Sequence, residues 1–457
     1  MNVLLISTYE LGRQPFGLAS PAAWLAAAGA TVSCLDLSRE SFNEEFVRAA
    51  DVVAFYVPMH TATRLAVLLI EPVRKLNPRA HICFYGLYAP MNEAYLRRLG
   101  AQTILGGEFE EGLVHLVERL AGVAQASSLC SQSEPTVSLS RQTFRVPDRR
   151  ALPPLEHYAH LVVPGGAHRI VGYTEASRGC KHLCRHCPIV PVYNGAFRVV
   201  QRDVVLADIR WQVSSGAQHI TFGDPDFFNG PAHALAIVEA LHSEFSQLTY
   251  DVTIKIEHLL HHAAHLRTLR DTGCLFVTSA VESVDDAVLV KLDKGHTHAD
   301  FLAVVELCRE AGLALQPSFV PFTPWTTLEG YSELLRVLAE NDLVESVAPI
   351  QLAIRLLIPA GSRLLELEDV RLLVAPFDEA ALVYPWRHAD SRVDALCEEV
   401  ENIVRFGEKL NVSRETIFAR ICDAASAAAG IPASWQRPEP VLVARAAIPY
   451  LNEPWYC

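Results

Sequence analysis

Three cysteines fall within eight residues in the stretch Arg178-Gly179-Cys180-Lys181-His182-Leu183-Cys184-Arg185-His186-Cys187-Pro188. Their spacing is C-x3-C-x2-C. Thiolates so placed on one short loop can hold three corners of a 4Fe–4S cube and leave the fourth iron without a protein ligand. An open iron can chelate a small molecule, which a carrier with four cysteine ligands cannot do. The alternative is a zinc loop. Zinc sites usually pair a C-x2-C with a second, distant pair of cysteines or histidines, and His182 and His186 lie too near the cysteines to make that pair comfortably. A further run of ligand-type side chains is His258, His261, His262 and His265, at i, i+3, i+4 and i+7. Four imidazoles on one straight helix cannot close a tetrahedron, so this face reads as solvated or as an interface.

The other eight of the eleven cysteines are scattered, at Cys34, Cys83, Cys130, Cys274, Cys308, Cys397, Cys422 and Cys457. The N-terminus, MNVLLISTYELGR, has no charged leader region and no small-residue cleavage site. The expectation is a cytoplasmic chain with reduced thiols and no disulfide framework. The longest apolar stretch, about residues 54–70, is cut by His60 and Arg64, so no membrane partner is expected. Acidic residues outnumber basic ones 52 to 39, for a net charge of −13. That balance argues against nucleic acid as a partner, because such affinity comes from Lys and Arg neutralising phosphates.

The elements around the cysteines read as α/β. Residues 1–120 alternate apolar runs (Val3–Ser7, Thr31–Leu35, Val52–Val57, His81–Tyr85, Gln102–Leu105) with helical patterns such as Glu45–Ala50, Leu65–Leu76 and Asn92–Leu99. The alternation predicts a doubly wound, Rossmann-like parallel sheet that binds ligands outside the carboxyl ends of its strands. Residues 121–164 open on the aperiodic AQASSLCSQSEPTVSLSRQ, a linker, and continue as VPDRRALPPLEHYAHL, an extended strap. Residues 165–362 hold six candidate strands: Ile170–Thr174, His219–Phe222, Thr249–Ile256, Leu275–Ala280, Ala314–Val320 and Pro349–Leu357. Helical patterns separate them, over Val204–Ser214, His233–Phe245, Asp300–Ala311 and Leu328–Ala339. This predicts a partial (β/α)6 barrel of the TIM type, with its chemistry at the C-terminal ends of the strands. The cysteine loop directly follows the first of them. Residues 363–457 read as mostly helical, through Arg392–Phe406 and Arg414–Ala429, and end in the tail PYLNEPWYC.

With its cysteines on such a loop, the stretch of about residues 165–360 resembles the radical S-adenosylmethionine superfamily. The resemblance implies that S-adenosylmethionine chelates the open iron through its amino and carboxylate groups. One electron then cleaves it to methionine and a 5′-deoxyadenosyl radical, which takes hydrogen from an unactivated position. It also implies a low-potential electron donor, such as flavodoxin or ferredoxin, as partner. Gly223 and Asp224 stand where the family carries a Gly-Gly-Glu-like stretch around the methionine amino group. Glu282 and Ser283 match its Glu-Ser segment near the ribose and methionine, with Ser283 also a candidate helix N-cap. Lys255 and Glu257, closing the third strand, are either cofactor contacts or a surface pair. There are two departures: His186 stands where an aromatic residue is common, and Gly-Asp-Pro replaces Gly-Gly-Glu.

A doubly wound domain ahead of such a barrel resembles the cobalamin-binding class of that superfamily. Gly106 and Gly107, in GGEFEE, look like the class's Gly-Glu-rich turn. The resemblance implies that Thr61 and Thr63, after the third strand, and Tyr85-Gly86, after the fourth, face the corrin. The chain has no Asp-x-His-x-x-Gly, so the usual lower axial histidine is missing. The implied reaction is methyl transfer from methylcobalamin to an unactivated centre of a small-molecule or peptide substrate. Two other readings stand beside it. A tRNA methylthiotransferase would need N-terminal cysteines for a second cluster, where only Cys34 and Cys83 are offered. A zinc-stabilised scaffold would have no activity. More narrowly, SRGCKHLCRHCPIVPVYNG, ITFGDPDFFNG, LDKGHTHADF, FVPFTPWTTLEGY and NEPWYC resemble a radical S-adenosylmethionine subfamily named for its Cys-Sec-Ala-Glu-Pro or Cys-Cys-Ala-Glu-Pro tail (CUAEP/CCAEP). The expectation there is that a selenocysteine codon follows Cys457.

Overall fold

The structure, a computed structural model, describes residues 1–122, 134–431 and 449–452. Cys130 and the end of the tail with Cys457 lie outside the described residues.

The N-terminal sheet is built from the parallel strands β1 (Asn2–Ser7), β2 (Thr31–Asp36), β3 (Val52–Tyr56), β4 (His81–Tyr85) and β5 (Thr103–Gly107), in the order β2-β1-β3-β4-β5. All five match the apolar runs of the sequence. Every residue of β3 and β5 is buried, as a parallel sheet covered on both faces requires. Leu18, Leu25, Leu113 and Leu116 cover one face; Val47, Val73 and Leu96 lie in the core on the other. The helix expected over Leu65–Leu76 is two helices, His60–Val67 and Ile70–Leu76. Pro72 cannot donate to the carbonyl of Leu68 and its ring crowds that position, so the chain restarts there. The strand order reverses between β1 and β3, which places the ligand crevice of such a sheet outside their carboxyl ends.

The segment between the two sheets belongs to both. A short strand β6 (Val137–Ser138) pairs in parallel with β5, and β7 (His160–Val162) pairs antiparallel with the first barrel strand, β8 (His168–Thr174). Between them Arg149 is only 1% exposed. Its guanidinium donates to both Asp208 carboxylate oxygens at 2.7 and 2.9 Å, to Gln14 Oε1 at 2.8 Å and to the Tyr173 carbonyl at 2.6 Å. Gln14 belongs to the N-terminal domain, and Asp208 and Tyr173 to the barrel, so one strap residue joins all three parts.

After β8, the antiparallel pair β9 (Ser177–Gly179) and β10 (Phe197–Val199) brackets the cysteine loop. The strands β11 (His219–Phe222), β12 (Thr249–Thr253), β13 (Cys274–Glu282) and β14 (Ala314–Phe319) then run parallel to β8, in sequence order. A last strand, β15 (Tyr450–Leu451), pairs with β7. The result is a curled half-barrel with five parallel strands where the sequence predicts six. Pro349–Leu357 is no strand. Its first half is a 3-10 turn, Pro349–Leu352, and only Arg355 bridges to Phe322. Pro349 has no N–H to give a ladder. The third strand stops at Thr253, and Ile256 already opens the helix Ile256–His261. The other expected helices form, as Arg202–Ser214, Pro231–Glu244, His298–Ala311 and Leu328–Glu340. The C-terminal helices Ser391–Lys409 and Arg414–Ala429 put Val393, Leu396, Val400, Ile417 and Ile421 into the barrel core. Among the described residues, no helix is long and apolar enough to cross a membrane.

Candidate functional site

The cysteine loop starts at Gly179, whose φ of 74° lies in the left-handed region. A Cβ there would fall 2.5 Å from the Ala196 carbonyl oxygen, so only glycine makes this turn. The loop is tied to the barrel through its backbone and its arginine. Arg185 N–H donates to the Leu292 carbonyl at 2.9 Å, and Arg185 Nη1 donates to the Val290 and Lys291 carbonyls at 3.1 Å. Lys181 N–H donates to Asn229 Oδ1 at 3.2 Å. Cys184 is buried, while Cys180 and Cys187 are partly accessible. Burial raises the Cys180 thiol and pushes Cys187 up to about 12. Binding metal at these sulfurs therefore displaces protons. Three soft sulfur donors suit an iron–sulfur cluster. Among the described residues, the set of three ligand atoms lying within 4.8 Å of one another is Cys180, His182 and Asp226, which uses a single cysteine.

Two polar groups flank the loop. In the first, Lys255 Nζ lies 3.0 Å from His182 Nδ1 and 3.2 Å from Glu257 Oε2. An ammonium only donates, so Nδ1 accepts and Nε2 carries the proton, 3.4 Å from Asp226 Oδ2. His258 Nδ1 reaches the same oxygen at 2.7 Å. Both approaches are close but poorly aligned for hydrogen bonding. Burial works to raise the Asp226 carboxyl, and the two imidazoles outweigh it, leaving it below its ordinary value. His258 is thus part of the site and not of a solvated face. The four histidines are not on one straight helix, because the helix ends at His261 and a 3-10 turn, Ala263–His265, follows, but their rings still form a row, with His262 4.8 to 6.2 Å from the other three. His262 and His265 set their rings against Phe228, at 5.7 and 6.4 Å.

In the second group, Glu282 ends β13 at a bulge with φ of 70°. A non-glycine residue held there costs on the order of 1–3 kcal/mol. Its Oε1 lies 3.0 Å from His186 Nε2 and 3.4 Å from Lys294 Nζ. Burial opposes ionisation, but Lys294 and then His186 win and hold the carboxyl at about 2. His296 is 6% exposed, and its ring lies against the backbone at Val281. Burial, then the neighbouring Lys294 and Lys255 charges, lower it to about 4, so it is neutral at pH 7. Ser283 is not the helix cap: its Oγ accepts from Asp285 N–H at 3.0 Å, and Asp285 caps the helix that follows.

Gly223 lines a small cavity beside Arg178 and Gly179, while Asp224 is buried behind the loop. A Cβ on Gly223 would sit 1.9 Å from Tyr173 Oη. Asp224 is buried and accepts from Ala176 N–H at 2.9 Å and Ser177 Oγ at 2.5 Å, which fixes the approach to the cysteines. Its carboxylate is thus engaged by the chain and not left for an ammonium. Burial lifts this carboxyl to about 7 against those hydrogen bonds. The folded state then holds a proton that an unfolded Asp, near 3.9, has released. The contribution to stability is full below about pH 4 and is lost as pH rises through about 7. Asp224→Asn is expected to remove that slope. Denaturation midpoints compared from pH 4 to pH 8 check it, and parallel curves for the two proteins would refute it.

On the N-terminal side, Thr61 lines the main cavity, but Thr63 is buried with Oγ1 donating to the Met59 carbonyl at 2.9 Å. Thr63 therefore faces no ligand. Gly106 is spent on structure: its N–H donates to the Thr136 carbonyl at 2.7 Å, and a Cβ would lie 2.4 Å from Pro90. Gly107, with φ of 69°, lines a small cavity of about 200 Å³ beside Glu10, Glu175 and Arg178. Tyr85 is buried in the sheet, its hydroxyl donating to the Gly17 carbonyl at 2.8 Å. Cys34 and Cys83 are sealed in the core, where burial pushes Cys34 up to about 12 and Cys83 higher still, so they offer no second cluster. The acidic turn meets an arginine instead of a ligand. Arg178 donates to Glu110 at 2.7 and 2.9 Å, to Glu108 at 3.3 Å and to Glu175 at 2.7 Å. This buried cluster fastens the N-terminal sheet to the first residues of the cysteine loop.

The main cavity, about 1200 Å³, is walled by three parts of the chain. Tyr9, Met59, His60, Thr61 and Tyr88 come from the carboxyl edge of the N-terminal sheet. His186 and Pro188 come from the cysteine loop, and Leu356, Leu357 and Trp386 from the region after the barrel. The sequence reading missed His60, Tyr88, His296, Lys294 and Arg178. His60 and Tyr88 sit just past apolar strands, which was the available signal.

Compared with known proteins, residues 174–322 match the Radical SAM superfamily, so the half-barrel is a radical SAM domain. A bacteriochlorophyllide d C-8(2)-methyltransferase of Chlorobaculum tepidum is 30% identical over 98 residues, 21% of this chain and 22% of that protein. The chain spans between 22% and 48% of the length of the curated relatives it matches. Two solved structures share the fold. The radical S-adenosylmethionine methyltransferase TsrM of Kitasatospora setae, with tryptophan substrate and a SAM analogue, has a TM-score of 0.62 at 17% identity, over 75% of this chain and 71% of that one. The cobalamin-dependent S-adenosylmethionine radical enzyme OxsB, with aqua-cobalamin and S-adenosylmethionine, has a TM-score of 0.66 at 14% identity, over 89% and 66%.

Proposed function

We propose that the chain cleaves S-adenosylmethionine reductively at a 4Fe–4S cluster held by Cys180, Cys184 and Cys187. We further propose that it uses cobalamin to methylate an unactivated centre of a small molecule or peptide. One observation carries this reading: the cysteine loop and the carboxyl edge of the N-terminal sheet wall the same cavity, of about 1200 Å³. That exceeds the ~300–1,000 Å³ of ordinary small-molecule pockets and has room for more than one ligand. When bound, the cluster with S-adenosylmethionine supplies hydrogen-atom abstraction and the cobalamin supplies a methyl group.

The chain's own residues do the positioning. Arg178, held by three carboxylates of which Glu108 and Glu110 are fully buried, sets the height of the loop against the N-terminal sheet. The Glu282–His186 contact at 3.0 Å and the Arg185 bonds fix its far half. Lys255 and Lys294, both buried, set positive charge beside neutral His296, a surface suited to a carboxylate. Leu356, Leu357 and Trp386 give the substrate side of the cavity an apolar wall, which keeps water from reactive species. A low-potential protein such as flavodoxin or ferredoxin delivers the electron.

Anaerobic reconstitution with iron and sulfide tests the reading. The expected result is a brown protein that retains hydroxocobalamin through gel filtration and releases 5′-deoxyadenosine after reduction with S-adenosylmethionine present. A colourless protein containing zinc would overturn it. The narrower proposal, membership of the subfamily with the Cys-Sec-Ala-Glu-Pro or Cys-Cys-Ala-Glu-Pro tail, is supported by the five matching sequence stretches. It is tested by the nucleotide sequence after the codon for Cys457: a UGA followed in frame by codons for Ala-Glu-Pro is expected, and UAA, UAG or a UGA without those codons overturns it.

A further inference from the structure

We propose that His60 is the protein ligand to cobalt, on the face of the corrin turned toward the N-terminal sheet. This rests on the cobalamin reading above. It assigns a ligand that the sequence, lacking Asp-x-His-x-x-Gly, does not offer in the usual loop.

The placement comes from the fold. His60 opens the helix His60–Val67 directly after β3, next to the point where the strand order reverses. Its ring lines the main cavity together with Met59, Thr61 and Tyr88, and packs edge-on to Tyr88 at 6.4 Å between ring centres. The ring's chemistry is fixed by one contact. Nε2 lies 2.6 Å from the carbonyl oxygen of Ala381, in the segment before the C-terminal helices. A carbonyl oxygen only accepts, so Nε2 holds the proton and Nδ1 holds the lone pair. No described residue bonds Nδ1. Imidazoles that bind metals are prepared in this way: the second nitrogen donates to a carbonyl or carboxylate, which sets both tautomer and ring orientation. His186 also borders the cavity, but it belongs to the cysteine loop, and its free nitrogen, Nδ1, is buried away from the open space.

The experiment is electron paramagnetic resonance of cob(II)alamin on the full-length protein with its cluster oxidised and silent. Protein is made with natural or 15N-labelled histidine. A nitrogen with spin 1 splits each cobalt line into a triplet, and 15N, with spin one half, splits it into a doublet. The expected result is triplets that become doublets on labelling. His60→Gln, which keeps an N–H for the Ala381 carbonyl but has no imidazole, should still bind cob(II)alamin and lose the histidine splitting. Triplets unchanged by labelling would mean ligation by the cofactor's own base and would overturn the assignment. So would the absence of splitting, or doublets that persist in His60→Gln. Failure of the unmutated protein to retain cob(II)alamin through gel filtration overturns the cobalamin reading itself, and it is visible in the absorption spectrum before any resonance is recorded.

Discussion

Cys180→Ala, Cys184→Ala and Cys187→Ala are each expected to emerge from anaerobic reconstitution with iron and sulfide at background, and to form no detectable 5′-deoxyadenosine. The loss is complete and not graded, because two thiolates cannot hold a cube whose fourth iron is already without a protein ligand. Among the described residues, no other cysteine lies on the loop. Cys274, Cys308, Cys397 and Cys422 are all buried in the barrel core. The fold should survive, since the loop is anchored by Lys181 N–H on Asn229 and by Arg185 on the Leu292, Val290 and Lys291 carbonyls, none of which involves a thiol. Unchanged circular dichroism beside lost iron is therefore the expected pair of results. A variant that keeps wild-type iron and forms product would remove that cysteine from the site. Serine in place of cysteine gives a finer reading, because a hydroxyl is a harder and much weaker acid than a thiol and should leave a labile cluster at best.

The largest loss of stability is expected at Arg149. Arg149 is 0% and Asp208 1% exposed in their side chains, and they meet at 2.7 Å. Removing one partner strands a buried charge, a change typically worth about 3–5 kcal/mol. Arg149→Ala also releases the Gln14 side chain and the Tyr173 carbonyl, so its effect should reach both domains. Asp208→Ala should cost a similar amount by leaving the guanidinium unpaired. The double variant Arg149→Met/Asp208→Leu should recover much of the loss, because no charge is then buried. Urea unfolding followed by near-ultraviolet circular dichroism, with the double-mutant cycle closed, measures this. Single-variant losses under about 1 kcal/mol, the range of exposed pairs, would show that the pair is solvated in solution.

The sequence revealed what is contiguous. The parallel strands of the N-terminal sheet were legible because strands covered on both faces are unbroken apolar runs, as in Val52–Tyr56. The same signal misled over Pro349–Leu357, since a short apolar run cannot be told from buried irregular chain by periodicity alone. The cysteine loop was legible because its three cysteines sit within eight residues of chain. Lys294 and His296 were not, because they come to the loop from beyond a helix that follows β13, and no spacing rule connects them with Cys187. Thr61 and Thr63 were expected to face a ligand together, from a loop after the third strand. On the helix that begins at His60, two residues are roughly 200° apart, so one reaches the cavity and the other is buried. The Gly-Glu turn was read for Gly106 and Gly107 alone, because nothing in sequence shows that Arg178, far along the chain, is aimed at its carboxylates.

The strands β6 and β7 make the interdomain segment something other than a tether. Each closes one flank of a sheet: β6 lies along β5, and β7 lies along β8. A fragment ending at residue 122 would present β5 with its row of backbone N–H and C=O groups bare, and a fragment starting at residue 165 would do the same with β8. Bare flanks of that kind recruit strands from other molecules. The two halves are therefore poor candidates for separate expression. Any exchange of the N-terminal domain between such proteins would have to carry residues 134–162 with it to yield a soluble product.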